Sequence, residues 1–111
     1  MSPTTQPESL PGTLHLLILR SLSAGPLHGY AIAKRIKDVS RSVLAVEEGS
    51  LYPALNRMLV KGWLTAEWGI SENNRKARFY QLTKVGHQQL EQETVEFDRL
   101  VSAIQLVLRD A

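Results

Sequence analysis

Cysteine is missing from all 111 residues. That excludes disulfide scaffolds and thiolate metal sites, and it permits a reducing compartment. Long apolar runs are missing too: the run at residues 16–19 is four residues long, against the roughly 20 that a bilayer-spanning helix needs. Residues 1–9 carry a single charge, Glu8, and no apolar core, so they do not read as a secretory signal. The cytoplasm is the expected location. Glycine-rich phosphate loops, a nucleophile elbow and an H-x-x-x-H pair are also lacking. His15, His28 and His87 are separated by predicted helices and have no carboxylates at ligand spacing. No enzyme, metal or cofactor is expected.

What is present is a globular composition, 43% apolar and 22% charged with 7 Gly and 5 Pro. A chain this short makes one domain, burying roughly 60–70% of its unfolded surface. The net charge is only +2, but it is unevenly spread. Up to Gly86 there are 11 Lys/Arg against 6 Asp/Glu, and beyond it 2 against 5. A basic body with an acidic final segment suggests two surfaces with different partners.

Residues 1–9 hold two Pro, two Ser and two Thr without apolar spacing and read as a flexible tail. Residues 13–23 are apolar on nearly every face, so a helix there needs cover on more than one side. Pro11-Gly12 and a Thr13 N-cap would start it, and Gly25-Pro26 would end it. Residues 28–40 give an amphipathic second helix, with Ile32, Ile36 and Val39 inward and Lys34 on a basic outer arc. His28 is expected to cap this helix or to pack against it.

A third helix follows over residues 47–62, with Leu51, Leu55, Met58 and Leu59 on one face. Taking Ser50 as its N-cap places Pro53 in the first turn, where proline is tolerated, and Gly62 closes the far end. The wheel then turns Ser50, Pro53, Asn56, Arg57, Val60 and Lys61 outward, with Tyr52 at the edge. Glu47 and Glu48 read as acids favoured by the helix dipole rather than as a catalytic pair. From Leu64 the pattern changes to alternation, Leu64, Ala66, Trp68 and Ile70, and resumes at Arg78, Tyr80 and Leu82. This predicts a β-hairpin with Asn73-Asn74 at its tip, since asparagine tolerates left-handed backbone. Its loop carries Arg75 and Lys76, next to Arg78.

The last segment opens with Thr83 as a cap. His87, Leu90, Thr94, Phe97, Val101, Ile104 and Leu108 recur at alternating steps of three and four, widened by Leu100 and Val107. Such a stripe is a helix–helix seam. At roughly 37 Å it is longer than a small domain needs, and a second copy buries the excess most simply. The order of elements is that of a mainly α winged helix-turn-helix with a small β-hairpin and a long C-terminal dimerisation helix. The division expected is a tail over residues 1–9, a DNA-binding domain over 10–82 and a dimerisation helix over 83–111. In this architecture the third helix enters the major groove. Lys34, Ser50, Tyr52, Pro53, Asn56, Arg57 and Lys61 are then the expected DNA-facing residues of the helices. Asn73, Asn74, Arg75, Lys76 and Arg78 are those of the wing. The alternative is a winged helix that docks protein without DNA, which would want an apolar third-helix face.

Residues 10–22 (LPGTLHLLILRSL), 26–36 (PLHGYAIAKRI), 47–63 (EEGSLYPALNRMLVKGW) and 78–86 (RFYQLTKVG) resemble the PadR family of bacterial transcriptional regulators. The likeness covers nearly the whole chain and is closest to the short subgroup with one C-terminal helix. It implies a homodimeric winged-helix protein that binds a palindromic operator, usually as a repressor released by a small-molecule effector. It also implies that the last helix of one subunit packs on the first helix of the other. Leu14, Leu17 and Ile18 would then join Leu90, Phe97, Leu100, Val101, Ile104 and Leu108 in the dimer interface. Drug-binding members carry a Trp on the final helix; here both Trp residues lie in the hairpin region, and the final helix offers only Phe97.

Overall fold

Gly12 opens the first helix at a φ of +76°, the left-handed conformation that a β-branched residue such as Thr13 would resist. Gly12 is therefore the N-cap of helix α1 (Thr13–Ser21), and Thr13 is its first helical residue rather than its cap. A computed structural model describes residues 12–111 of the chain; the tail expected over residues 1–9 and the start signal at Pro11 lie outside them. Leu14, Ile18 and Leu19 of α1 are buried, along with Leu22 just beyond it. Leu16 and Leu17 are half-buried. The helix ends at Ser21, two residues before the expected end, where Ser21 Oγ donates to the Leu17 carbonyl at 2.8 Å.

Strand β1 (Leu27–His28) was not expected from the sequence. It pairs antiparallel with the second strand of the hairpin, Leu27 opposite Tyr80 and His28 opposite Phe79. The hairpin thus becomes a three-stranded sheet. Helix α2 (Gly29–Val39) begins directly on this strand, and His28 caps it by accepting the Ala31 N–H on Nδ1 at 3.3 Å. Ile32 and Ile36 are buried as expected, but Val39, the helix's last residue, is exposed. There the chain turns away through Arg41 and Ser42, both at positive φ.

Helix α3 (Glu48–Val60) has Glu47 as its N-cap, three residues before the expected Ser50. Pro53 consequently lies in the second turn, not the first. It cannot supply the N–H that would bond to the Gly49 carbonyl. The first turn is held instead by Ser50 and Leu51, whose N–H groups donate to the Glu47 carbonyl at 3.0 and 2.9 Å. Leu51, Ala54, Leu55 and Met58 enter the core. Gly62, at φ +77°, closes the helix while Trp63 N–H donates to the Met58 carbonyl at 3.0 Å.

Strands β2 (Leu64–Ile70) and β3 (Lys76–Leu82) form the hairpin, and the sheet order is β1-β3-β2. Their register sets Leu64 opposite Leu82, Ala66 opposite Tyr80, Trp68 opposite Arg78 and Ile70 opposite Lys76. That face is buried at its base and open toward its tip. Residues 71–75 make the turn, with Asn74 at φ +57° as the tip composition predicts. Helix α4 (Lys84–Asp110) follows after one residue. Thr83 caps it by accepting the Gly86 N–H at 3.0 Å, and its own hydroxyl donates to the Gly62 carbonyl at 2.6 Å. The core gathers α1, α2, α3 and the base of the sheet, closed by Tyr80 and Leu82. Leu90 packs against it from α4; beyond Glu93 every α4 residue except Val101 is exposed in the single chain.

A Cβ at Gly86 would collide with the Trp63 carbonyl group, its carbon 3.1 Å away. Gly86→Ala is therefore expected to destabilise the fold by about 1–3 kcal/mol, measured by urea denaturation followed by far-UV circular dichroism.

Candidate nucleic-acid interface

On the outer side of α3 the residues left uncovered by the core are short, polar and cationic. Tyr52, Pro53, Asn56, Arg57 and Val60 are exposed or nearly so, Ser50 is half-buried, and exposed Lys61 forms the C-cap. On the wing, Asn73, Asn74, Arg75, Lys76 and Arg78 are all exposed. The cations here rest on rings rather than carboxylates. Lys61 Nζ lies 4.7 Å from the Trp63 ring centre, Lys76 Nζ lies 5.0 Å from that of Trp68, and the Arg78 guanidinium lies 5.8 Å from that of Tyr80. Among the described residues none of Arg57, Lys61, Arg75, Lys76 or Arg78 has an ion-pair partner. Among the described residues, no internal salt bridge has to break before they meet an anion. Lys34 differs: its ammonium is bonded to Asp38 at 2.7 Å, which holds its proton more tightly than usual.

Between the wing and the starts of α2 and α3 lies an open cleft of about 530 Å³. It brings together five of the expected residues, Tyr52, Asn73, Arg75, Lys76 and Arg78, with others not singled out for DNA contact, among them His28, Gly29, Tyr30 and Trp68. Gly29 lies in close approach to Tyr52: a Cβ there would sit 2.7 Å from the hydroxyl oxygen and would displace the ring. Burial, then the nearby Glu48 carboxylate and Tyr80, push the Tyr52 phenol above its usual range. At neutral pH it keeps its O–H and remains a hydrogen-bond donor. Since His28 Nδ1 accepts from Ala31, its hydrogen belongs on Nε2. That atom is buried without a hydrogen-bond partner, with Glu72 Oε2 at 3.6 Å. The Glu72 carboxyl is held below its usual range, first by a hydrogen bond from its own backbone and then by His28.

The apolar stripe expected on α4 is largely uncovered in the single chain. Phe97, Leu100, Ile104 and Leu108 are exposed, Leu108 by 78%, and Val101 is half-buried. The first-helix part of the expected interface needs correction. Leu14 and Ile18 are 6% and 0% exposed within the single chain, because its own α2, α3 and α4 pack against α1. Of the three first-helix residues expected there, only half-buried Leu17 keeps surface. Among the described residues there is no cluster of three metal-ligating side chains, and no helix is long and apolar enough to cross a membrane.

Three helices, a winged sheet that flanks the third, and a basic face shared by both define a winged helix-turn-helix, the architecture of a DNA-binding transcriptional regulator. Residues 18–92 match the transcriptional regulator PadR-like family, and the chain belongs to it. It is accordingly a regulator, not an enzyme. A PadR family transcription regulator from Clostridium difficile R20291 has a crystal structure with a TM-score of 0.72 to this chain. The two are 28% identical, covering 86% of this chain and 97% of that one. Bacillus subtilis PadR in complex with operator DNA has a TM-score of 0.66 at 27% identity, over 74% of this chain and 46% of that one. An uncharacterized 37.1 kDa protein in transposon TN4556 of Streptomyces fradiae is 40% identical over 85 residues, 77% of this chain. The match spans 23% of that protein's length.

His15 sits edge-on to Trp63, ring centres 5.9 Å apart, with Nε2 buried and unbonded. Burial, then the charges of Arg57 and Lys61, lower its pKa below the ordinary 6.5, against the pull of Glu93. As pH falls, the unfolded chain binds this proton before the folded chain does. The stability involved is intact above about pH 6.5 and declines below it. His15→Gln should flatten that decline, measured as the urea midpoint between about pH 7 and pH 5.

Proposed function

We propose that the chain is a homodimeric repressor that acts in the cytoplasm on a palindromic operator. Residues 10–82 form its DNA-binding head and residues 83–111 its dimerisation helix. Each protomer sets α3 in a major groove, presenting Asn56 and Arg57 to base edges or phosphates, and lays its wing along the adjacent backbone. The two half-sites lie about one or two helical turns apart, matching the dimer's two-fold axis. The single observation that carries this reading is the set of five cations without ion-pair partners, among the described residues, on α3 and the wing. The exposed apolar stripe on α4 supports the dimer, since a helix standing off its own domain needs a second surface against which to bury that face. A small-molecule effector, which the family resemblance implies, would meet an α4 that has Phe97 but no Trp or Tyr.

The test is binding to the DNA upstream of the chain's own gene at two salt concentrations. The double variant Arg57→Ala, Arg75→Ala should bind at least about tenfold more weakly, with an unchanged far-UV spectrum and a salt slope reduced by about 0.9 for each phosphate no longer neutralised. Unchanged affinity that is also indifferent to salt would favour a protein-docking module instead. For the dimer, Leu100→Asp with Ile104→Asp should leave each domain folded, because both side chains are exposed in the protomer. Light scattering should then report a monomer where the parent is a dimer.

A further inference from the structure

The wing carries two apolar side chains that neither the core nor the α4 seam uses. Trp68 and Ile70 are 66% and 64% exposed, on the face of β2 that begins with buried Leu64. Their cross-strand partners are Arg78 and Lys76, so each apolar side chain faces a cation across the hairpin. A single exposed apolar residue is ordinary. Here the placement is not, because Trp68 lines the same cleft as Tyr30 and Tyr52. Its lining also includes Arg75, Lys76 and Arg78, none paired with a carboxylate among the described residues. Such a surface fits a partner that alternates apolar faces with regularly spaced negative charges. A deoxyribose–phosphate strand has that chemistry: sugars between phosphates, one charge per roughly 3.4 Å of each strand.

We propose that this cleft receives one sugar–phosphate strand of the bound duplex. The indole of Trp68 lies against the strand's sugar and base edges, and Arg75, Lys76 and Arg78 meet the flanking phosphates. This rests on the DNA-binding reading above and adds Trp68 as an affinity-determining residue that does not discriminate sequence. Because a ring neutralises no phosphate, its contribution is independent of salt.

The experiment titrates an operator-containing duplex and an unrelated duplex of equal length, over several salt concentrations, with the full chain and with Trp68→Ala. The variant should bind both duplexes about fivefold or more weakly, by the same factor, because the sugar that the ring covers is common to every sequence. Its salt slope should match that of the parent, whereas Arg75→Ala should lower the slope by about 0.9. Trp68→Phe keeps a ring and should recover most of the affinity. In a Trp63→Phe background, where Trp68 is the only indole, added duplex should change the fluorescence. Affinity of Trp68→Ala within about twofold of the parent would overturn the proposal. So would a drop in its salt slope of about one, because the ring would then act only by propping Lys76. A parent chain that binds neither duplex would overturn the underlying reading instead.

Discussion

The carbonyl group of Trp63 is the joint on which the geometry of the molecule turns. Its oxygen accepts the Thr83 N–H at 3.0 Å, and Gly86 lies so close that no side chain fits between them. The residue before it, Gly62, closes α3 with a left-handed turn and accepts the Thr83 hydroxyl. Three elements are fastened within a few residues: the end of α3, the base of the hairpin and the start of α4. The angle between α3 and the wing is thus fixed by backbone contacts that a surface substitution cannot loosen. Each group in the joint has its partner, so the arrangement avoids the cost of about 1–3 kcal/mol that an unmet buried donor or acceptor carries.

Electrostatics at the head follow a different logic from those in the rest of the chain. Lys34 is committed to Asp38. Three cations at the end of α3 and on the wing are instead set against aromatic faces, interactions worth only about 0.5–1 kcal/mol at exposed sites. A ring steadies the side chain without cancelling its charge. The result is a surface whose positive potential remains available while its side chains are already partly ordered, which reduces the entropy lost when an anion binds.

Features with a local chemical cause were legible in the sequence. Thr83 and His28 as caps, Gly62 as a helix stop and Asn74 at the hairpin tip each depend on neighbours within a few residues. So did the alternation of Leu64, Ala66, Trp68 and Ile70, and the spacing of the α4 stripe. What escaped depends on distant partners. Strand β1 is two residues long, too short to show a period, and exists only because β3 offers an edge. The cap of α3 moved from Ser50 to Glu47 because backbone bonding in the first turn outweighed the preference for a side-chain cap. Periodicity marked Leu14 and Ile18 as apolar but could not say which chain would cover them. Trp68, Tyr30 and Gly29 joined the site only through the folding of the wing beside α2 and α3.

One residue, Thr83, separates the last strand from a 27-residue helix. There is no slack at this junction, and α4 extends about 40 Å from it. On such a lever arm a tilt of about five degrees at the tail is a displacement of about 3 Å at the far end. In the dimer proposed above, a small change in how the two tails cross would become a rigid rotation of the heads. Information can pass along the molecule without any segment unfolding.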